Sequence, residues 1–370
     1  RDAAANLLTI HPLIRELIWN ELKPTAAEYD GFLQMIRQED YLSTQEENSR
    51  AMRKLDLAQC VLSLPILPPS AGVAQACCIT GFHDFKRGRR LESIRFYDRG
   101  LSIYRLLSAE NPQCLYRYAA ESGTLGFLMS ATNEYQPRSA ELLRQAVAIW
   151  KRLEQEQPGK YRVEYATACD NLGYQLSLSH DVATHREAEA VLREALAIRQ
   201  QLYQQDPGRF RRDYAWTADN LGKVLTRDSG SFAEAEELLR TALQLREEMN
   251  RESGGKNISE VAWTCHNLGQ LLAKKPEYAA EAEQCYRTSI RLRQKLEQLS
   301  PGTHAADTSW VMFWLAELLS HDPARHAETG ELYCAALEIQ QKVEQEHPGM
   351  FVLNIDRIRE RYESFRNGIQ

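Results

Sequence analysis

Apolar residues recur along most of the chain at the three-to-four-residue spacing of amphipathic helices. From residue 113 onward the pattern predicts pairs of helices, each with a first helix (A) and a second helix (B). The A helices are expected near 113–131, 161–179, 210–227, 257–274 and 304–321. The B helices are expected near 137–156, 186–205, 232–252, 277–299 and 325–346. A helix pair at 71–85 and 91–110 precedes them, helices at 7–22, 26–40 and 44–64 come earlier, and a polar helix at 351–365 follows.

Two sequence markers repeat with nearly one period. The first, called here the small-residue step, is a small residue after leucine in each A helix, at Gly126, Gly173, Gly222, Gly269 and Ala316, with intervals of 47, 49, 47 and 47 residues. The second is a Pro-Gly or Gly-Gly pair that ends each B helix. Two markers with one period predict a helical repeat array in which a small residue lets the neighbouring helix approach closely. Divided by these markers, the chain has a helical segment at 1–69, a divergent first repeat at 70–112, five long repeats at 113–348 and a capping helix at 349–370.

Composition narrows the classes of partner. The chain is 43% hydrophobic with a net charge of −6, and its basic residues are interspersed with acidic ones. We therefore expect an ordered protein that does not bind nucleic acid as its main partner. No apolar run reaches membrane-spanning length, so no membrane association is expected either. The chain begins at Arg1, and we expect it to be a piece of a longer soluble, cytoplasmic protein with reduced cysteines.

Sequence motifs of catalysis are missing. The histidines form no HExxH pattern, the cysteines form no CxxC pair, and Gly255-Lys256 lacks the rest of a phosphate-binding loop. The expectation is a segment without catalytic activity, metal or cofactor. The basic run Lys86–Arg90 leaves two interpretations open, a solvated turn or a grip on phosphate or an acidic partner.

The repeats resemble the tetratricopeptide repeat. The resemblance rests on Leu172-Gly173, Leu176, Ala188, Leu192, Ala195 and Pro207, and the AxxxxNLGxxL phrasing is similar to the kinesin-light-chain variety. The period departs from the family's usual length of about 34 residues. The resemblance implies an all-α solenoid of antiparallel helix pairs, forming a right-handed superhelix whose concave groove binds a peptide or protein.

The family's ligand-facing positions can be carried over to the A helices, because positions i, i+3, i+7 and i+10 share one face of a helix. Counted from the small-residue step they lie six before, three before, one after and four after it. The resemblance implies these candidate ligand-binding residues: Trp216, Trp263, Trp310, Thr167, Asp170, Asp219, His266, Phe313, Tyr174, Lys223, Gln270 and Glu317. The alternative for the three tryptophans is that they pack against the next repeat and never contact a ligand.

The stretch Leu8-Thr9-Ile10-His11-Pro12-Leu13-Ile14-Arg15-Glu16 resembles the end of the winged-helix region in STAND-type, NLR-like NTPases. That resemblance implies a sensor arm of a bacterial antiviral ATPase, with the NTPase domain upstream and a phage protein as one candidate ligand. Two other hypotheses stay open at this point. One is a stand-alone scaffold or adaptor that binds a peptide or protein, and the other is a peptide-pheromone receptor or phosphatase-like regulator.

Overall fold

The computed structural model describes residues 69–130, 135–179, 181–300, 302, 304–346 and 352–369. Within these ranges the regular structure is helical, with α1 Ala71–Lys86, α2 Arg90–Leu107, α3 Pro112–Ser130, α4 Gln136–Glu156, α5 Arg162–Ser177, α6 Val182–Gln205, α7 Pro207–Leu225, α8 Phe232–Glu252, α9 Ile258–Leu272, α10 Ala279–Leu299, α11 Ala305–Leu319, α12 His326–Glu346 and α13 Val352–Ile369. The helices predicted before residue 65 and the segment at 8–16 lie outside the described residues. None of the described helices is long and apolar enough to cross a bilayer.

The A helices are α3, α5, α7, α9 and α11, and the B helices are α4, α6, α8, α10 and α12. Each begins and ends within a few residues of its predicted position. The predicted all-α fold of antiparallel helix pairs is confirmed. The division at residues 69, 112 and 348 stays a prediction.

Contacts divide the chain into two compact units, Arg1–Ala168 and Cys169–Gln370. In the first unit, α1 packs on α2, α2 on α3, and α3 on α4. In the second unit each helix from α6 to α13 packs on the next one along the chain, and α7 also contacts α9. Single 3₁₀ turns precede three of the B helices, at Ser229–Ser231, Pro276–Tyr278 and Pro323–Arg325.

The small-residue step is the place where an A helix and its B helix pack most closely. A Cβ added to Gly173 would lie 2.3 Å from Leu192 Cγ, and one added to Gly222 would lie 2.7 Å from Leu239 Cγ. The glycines therefore leave room for a large side chain of the B helix, because any larger residue would collide with it. The B helices in turn bury alanine without residual exposure, at Ala146, Ala195, Ala242 and Ala336.

Helix α13 packs on α12 in the second unit. Ile358 is fully buried against Phe313, Tyr333 and Ala336, whereas most of the other described side chains of α13 are exposed. One apolar contact face and a solvated remainder are what the predicted capping role would require, and that role stays a prediction.

Several cysteines lie inside the helix pairs. Cys77, Cys78, Cys114, Cys169 and Cys265 are buried. Burial raises the pKa of the Cys77 thiol to about 11 and raises that of Cys78 as well. Both side chains therefore pack in the core, where burial disfavours the reactive thiolate form.

Candidate functional site

The tryptophans predicted on the A-helix face are half-buried, and each lies beside an arginine from another helix. The Arg246 guanidinium lies 5.9 Å from the ring centre of Trp216, and the Arg293 guanidinium lies 5.8 Å from that of Trp263. Both arginines are buried on B helices. Trp310 instead meets Arg357 of α13 at 5.3 Å. The tryptophan rings are therefore held by cation–π contacts within the fold. Thr167, in the unit that ends at Ala168, is exposed, and its hydroxyl donates to the Val163 carbonyl.

The residues three before the step lie below the surface. Asp170, Asp219, His266 and Phe313 are all buried. Asp170 Oδ2 lies 3.2 Å from Arg199 Nη2, and its Oδ1 accepts a 2.7 Å hydrogen bond from Thr217. Burial raises the pKa of Asp170 to about 6, against the opposing effect of Arg199 and Thr217. The residues three before the step are therefore part of the buried interior of the helix pairs.

Asp219 makes the same kinds of contact, one with the B helix of its own repeat and one with the A helix of the next repeat. It forms an ion pair with Arg246 at 3.4 Å and accepts a 3.0 Å hydrogen bond from Asn267. His266 lies beside the Tyr286 ring, and burial, together with the positive charges of Arg293 and Lys223, lowers its pKa to about 3. The imidazole is therefore neutral at physiological pH.

The residues one after the step are half-buried and reach the surface of the A helices. Lys223 Nζ lies 5.7 Å from the ring centre of Tyr174 and 5.5 Å from that of Trp263, so the cation is held between two aromatic rings. Glu317 accepts a 2.6 Å hydrogen bond from Arg361 of α13 and another from the Tyr333 hydroxyl. Gln270 occupies the same repeat position on α9, between Lys223 on α7 and Glu317 on α11.

A cavity of about 740 Å³ opens on this surface of the second unit and is called here the Lys223 cavity. Its lining brings together four of the predicted residues, Lys223, Gln270, Trp310 and Glu317. Positions four after the step also contribute, at Ser177, Thr226 and Ala273. Trp216 and Trp263 do not line it.

Some residues of the cavity were missed by the sequence reasoning. Arg227, Lys274 and His321 line the cavity, and they occupy the same place in successive repeats, five after the step. The recurrence of basic residue types at this repeat position is visible in the sequence and could have identified the row. Trp314 and Arg357 line it too. Arg357 gave no signal, because it comes from α13, which lies outside the repeat period.

The charge of the cavity is predominantly positive. Lys223, Arg227, Lys274 and Arg357 line it, and in the part of the chain that the structure describes none of them forms an ion pair with a carboxylate. Its acidic residue, Glu317, is already paired with Arg361. No group of three or more histidine, cysteine or acidic residues that could hold a metal ion occurs among the described residues. The cations of the lining can bind an anionic group.

Comparison with protein families matches residues 215–250, which cover most of α7 and α8, to the tetratricopeptide repeat. No curated protein matches the chain. Among solved structures, the chain is similar to BtubC (BKLC) from P. vanneervenii, at 17% identity and a TM-score of 0.44, over 74% of this chain and 89% of that one. It is also similar to a Rap protein complexed with Competence and Sporulation Factor, at 16% identity and a TM-score of 0.47, over 99% of this chain and 100% of that one.

Proposed function

We propose that this chain is a protein-binding repeat domain whose ligand, a peptide or an extended protein segment, occupies the Lys223 cavity. The observation that supports this most strongly is the lining itself. Successive A helices contribute side chains from equivalent repeat positions to one cavity of about 740 Å³. Such a volume is in the range of ligand-binding clefts in proteins.

The length of the lining favours an extended chain over a compact small molecule. Helices α7, α9 and α11 all contribute, together with the end of α5 and the start of α6. Packed helices are spaced about 10 Å apart, so three A helices span about 20 Å. A peptide in extended conformation covers that distance with about six residues.

We further propose that the domain is the sensor arm of a cytoplasmic STAND-type NTPase and that a phage protein is the ligand that triggers activation. This part rests on the sequence at 8–16, which lies outside the described residues, and it places an ATPase domain upstream of this chain. Ligand binding would activate the NTPase only if the ligand had a higher affinity for the active state than for the resting state.

The test is a pull-down from lysates of infected and uninfected cells, with quantitative mass spectrometry of what is retained. The immobilised proteins are wild type, Gln270→Trp, which fills the cavity, and the matched control Gln244→Trp on the exposed side of α8. A partner retained by wild type and by the control, but lost with Gln270→Trp, supports a ligand in the cavity.

The other outcomes separate the alternatives. A partner found only after infection supports the sensor proposal, and one present in both lysates favours a scaffold or adaptor. A partner that Gln270→Trp still retains places binding on another face. Recovery of no partner above bare beads contradicts the binding function.

A further inference from the structure

Basic side chains line one edge of the Lys223 cavity in repeat register. Arg227 and Lys274 lie at equivalent positions of successive repeats, with His321 next in the row. Lys223 lies in the last turn of α7, and Arg227 follows four residues later, just beyond the end of that helix. Placing several like charges around one cavity is unfavourable unless solvent or a ligand of opposite charge compensates them.

Some surface arginines elsewhere in the second unit form ion pairs with glutamates of the protein. Arg193 pairs with Glu234 at 2.5 Å, Arg240 with Glu281 at 2.6 Å and Arg287 with Glu328 at 2.5 Å. The cations of the cavity differ, since among the described residues they have no carboxylate partner. Apart from Glu317, which is paired with Arg361, the charged groups of the lining are cations that an anionic ligand could contact.

Part of the basic row has a structural role. Arg227 donates a 2.7 Å hydrogen bond to the Ser179 carbonyl, and Lys274 donates a 2.5 Å hydrogen bond to the Thr226 carbonyl at the end of α7. A cation at the carboxyl end of a helix is favourable. Each of these bonds uses one of several N–H groups and leaves the positive charge in the cavity without a counter-ion.

Among the described residues Lys223 and Arg357 have no such carbonyl partner, and both contact aromatic rings. Arg357 lies 5.4 Å from the ring centre of Trp314. Burial lowers the pKa of Lys223, although Asp219 acts in the opposite direction. A buried ammonium group is stabilised in its charged form when a carboxylate binds beside it.

The aromatic wall adds an unused donor. The Trp314 ring lines the cavity, and its buried indole Nε1 has no hydrogen-bond partner among the described residues. A buried N–H without an acceptor carries a free-energy penalty that an acceptor-rich ligand would remove. The same wall, with Trp310, offers an apolar surface to a side chain of the ligand.

We propose that the Lys223 cavity takes an acidic segment of a protein partner, with its carboxylates facing Lys223, Arg227 and Lys274 and an apolar side chain against Trp310 and Trp314. The proposal rests on the binding function proposed above and names the chemistry of its ligand. The chain as a whole is acidic, with a net charge of −6, so the basic cavity is a local exception that attracts such a segment.

The test is selection from a random library of peptides about twelve residues long, a length that spans the cavity with residues to spare. The library is selected in parallel on wild type, on the double variant Lys223→Gln/Lys274→Gln and on the control Lys256→Gln/Lys295→Gln. The control removes the same charge from exposed lysines that do not line the cavity. Circular dichroism checks that all three proteins keep the same helix content.

Enrichment of Asp- and Glu-rich peptides on wild type and on the control, but not on the cavity variant, supports the proposal. Enrichment of neutral or basic peptides contradicts the acidic ligand and leaves the binding function standing. If nothing is enriched above the bare matrix, the binding function fails as well.

The second measurement titrates one enriched peptide and its Glu→Gln version into each protein by fluorescence anisotropy. We expect the Gln version to bind at least about tenfold more weakly, because charge-assisted hydrogen bonds are lost. Raising the salt concentration from about 50 mM to about 300 mM should weaken binding of the acidic peptide and leave the affinity of the Gln version almost unchanged. Equal affinities for the two peptides would overturn the proposal.

Discussion

At the scale of single residues, one buried position changes chemistry from repeat to repeat, and its surroundings change with it. Three before the step stand Asp170, Asp219, His266 and Phe313, and the facing B-helix position holds Arg199, Arg246, Arg293 and Gln340. The two aspartates pair with their arginines. Where histidine replaces aspartate, Arg293 pairs with Asp307 at 2.9 Å, and beneath Phe313 the uncharged Gln340 bonds to Ser309 at 2.6 Å. The buried aspartates and arginines of these two positions thus each have a partner of opposite charge, because an unpaired charge is costly to bury.

His266 makes stability depend on pH. Its folded pKa of about 3 lies below the unfolded value of about 6.5, so the unfolded chain binds the extra proton first. The contribution of the neutral His266 to the free energy of unfolding is therefore fully present above about pH 6.5, and it is lost as the pH falls toward the folded pKa. We expect His266→Phe, which copies the residue at 313, to lose less stability than wild type between about pH 7.5 and about pH 4.5, by about 2 kcal/mol.

The measurement is urea denaturation followed by circular dichroism at both pH values. His321→Phe is the control, since His321 is exposed. If His266→Phe and wild type decline in parallel on acidification, the histidine is not the group that titrates.

Buried and exposed arginines of the B helices should contribute differently to the free energy of unfolding. Arg246 is buried with Asp219, so Arg246→Ala leaves an unpaired buried carboxylate and should cost about 3 to 5 kcal/mol. Arg240 is exposed in its pair with Glu281, so Arg240→Ala should cost less than about 1 kcal/mol. Denaturation midpoints of the two variants at equal protein concentration give the comparison. Equal losses would mean that burial does not set the strength of these pairs.

At the scale of helices, the small-residue step decides how closely an A helix and its B helix pack. In the step of α9, a Cβ on Gly269 would lie 2.9 Å from the Tyr286 ring, and in α7 one on Gly222 would meet Leu239. Glycine is unfavourable in a helix interior by about 1 kcal/mol relative to alanine. The packing it permits outweighs that cost.

Gly222→Ala should therefore destabilise the fold by about 1 to 3 kcal/mol, because the added methyl group collides with Leu239. The matched control is Gly330→Ala in α12, where an added Cβ meets nothing within 4 Å. That change should raise stability by up to about 1 kcal/mol through helix propensity alone. Thermal unfolding curves of both variants test the pair, and a Gly222→Ala protein as stable as Gly330→Ala would refute the packing explanation.

At the scale of the molecule, successive B helices are joined by ion pairs that recur from repeat to repeat. They are called here the Arg–Glu ladder and are formed by Arg193, Arg240 and Arg287 with their glutamates. Each arginine bonds a glutamate four residues earlier and a second glutamate 41 residues later. The bonds across 41 residues connect neighbouring B helices. After the last of these pairs, α13 covers apolar side chains of α11 and α12.

Replacement of the buried contact of α13 tests its role as a cap. Ile358→Asp places a carboxylate in a fully buried site against Phe313 and Tyr333, which should lower the Tm by roughly 5 °C or more. Asn367→Asp adds the same side chain at an exposed position of the same helix and should leave the Tm unchanged. If both variants melt like wild type, α13 does not stabilise the array.

Helix positions and the packing step were predictable because both follow from local rules. A residue's place on an amphipathic helix depends on its near neighbours along the chain, and a glycine that recurs at Gly173, Gly222 and Gly269 signals a close helix crossing whatever the rest of the fold. Those are the features that the sequence determined by itself.

Exposure along the A-helix face was decided only by the tertiary structure. Asp219 and Lys223 lie one helical turn apart on α7, yet the first is buried under Arg246 and Asn267 while the second reaches the cavity. Burial at each place depends on the side chains that the next repeat brings against it, and Arg357 reaches the cavity from a helix outside the repeat period. The period of the sequence thus determines which residues share a face, and only the packing of neighbouring repeats determines which of them a ligand can reach.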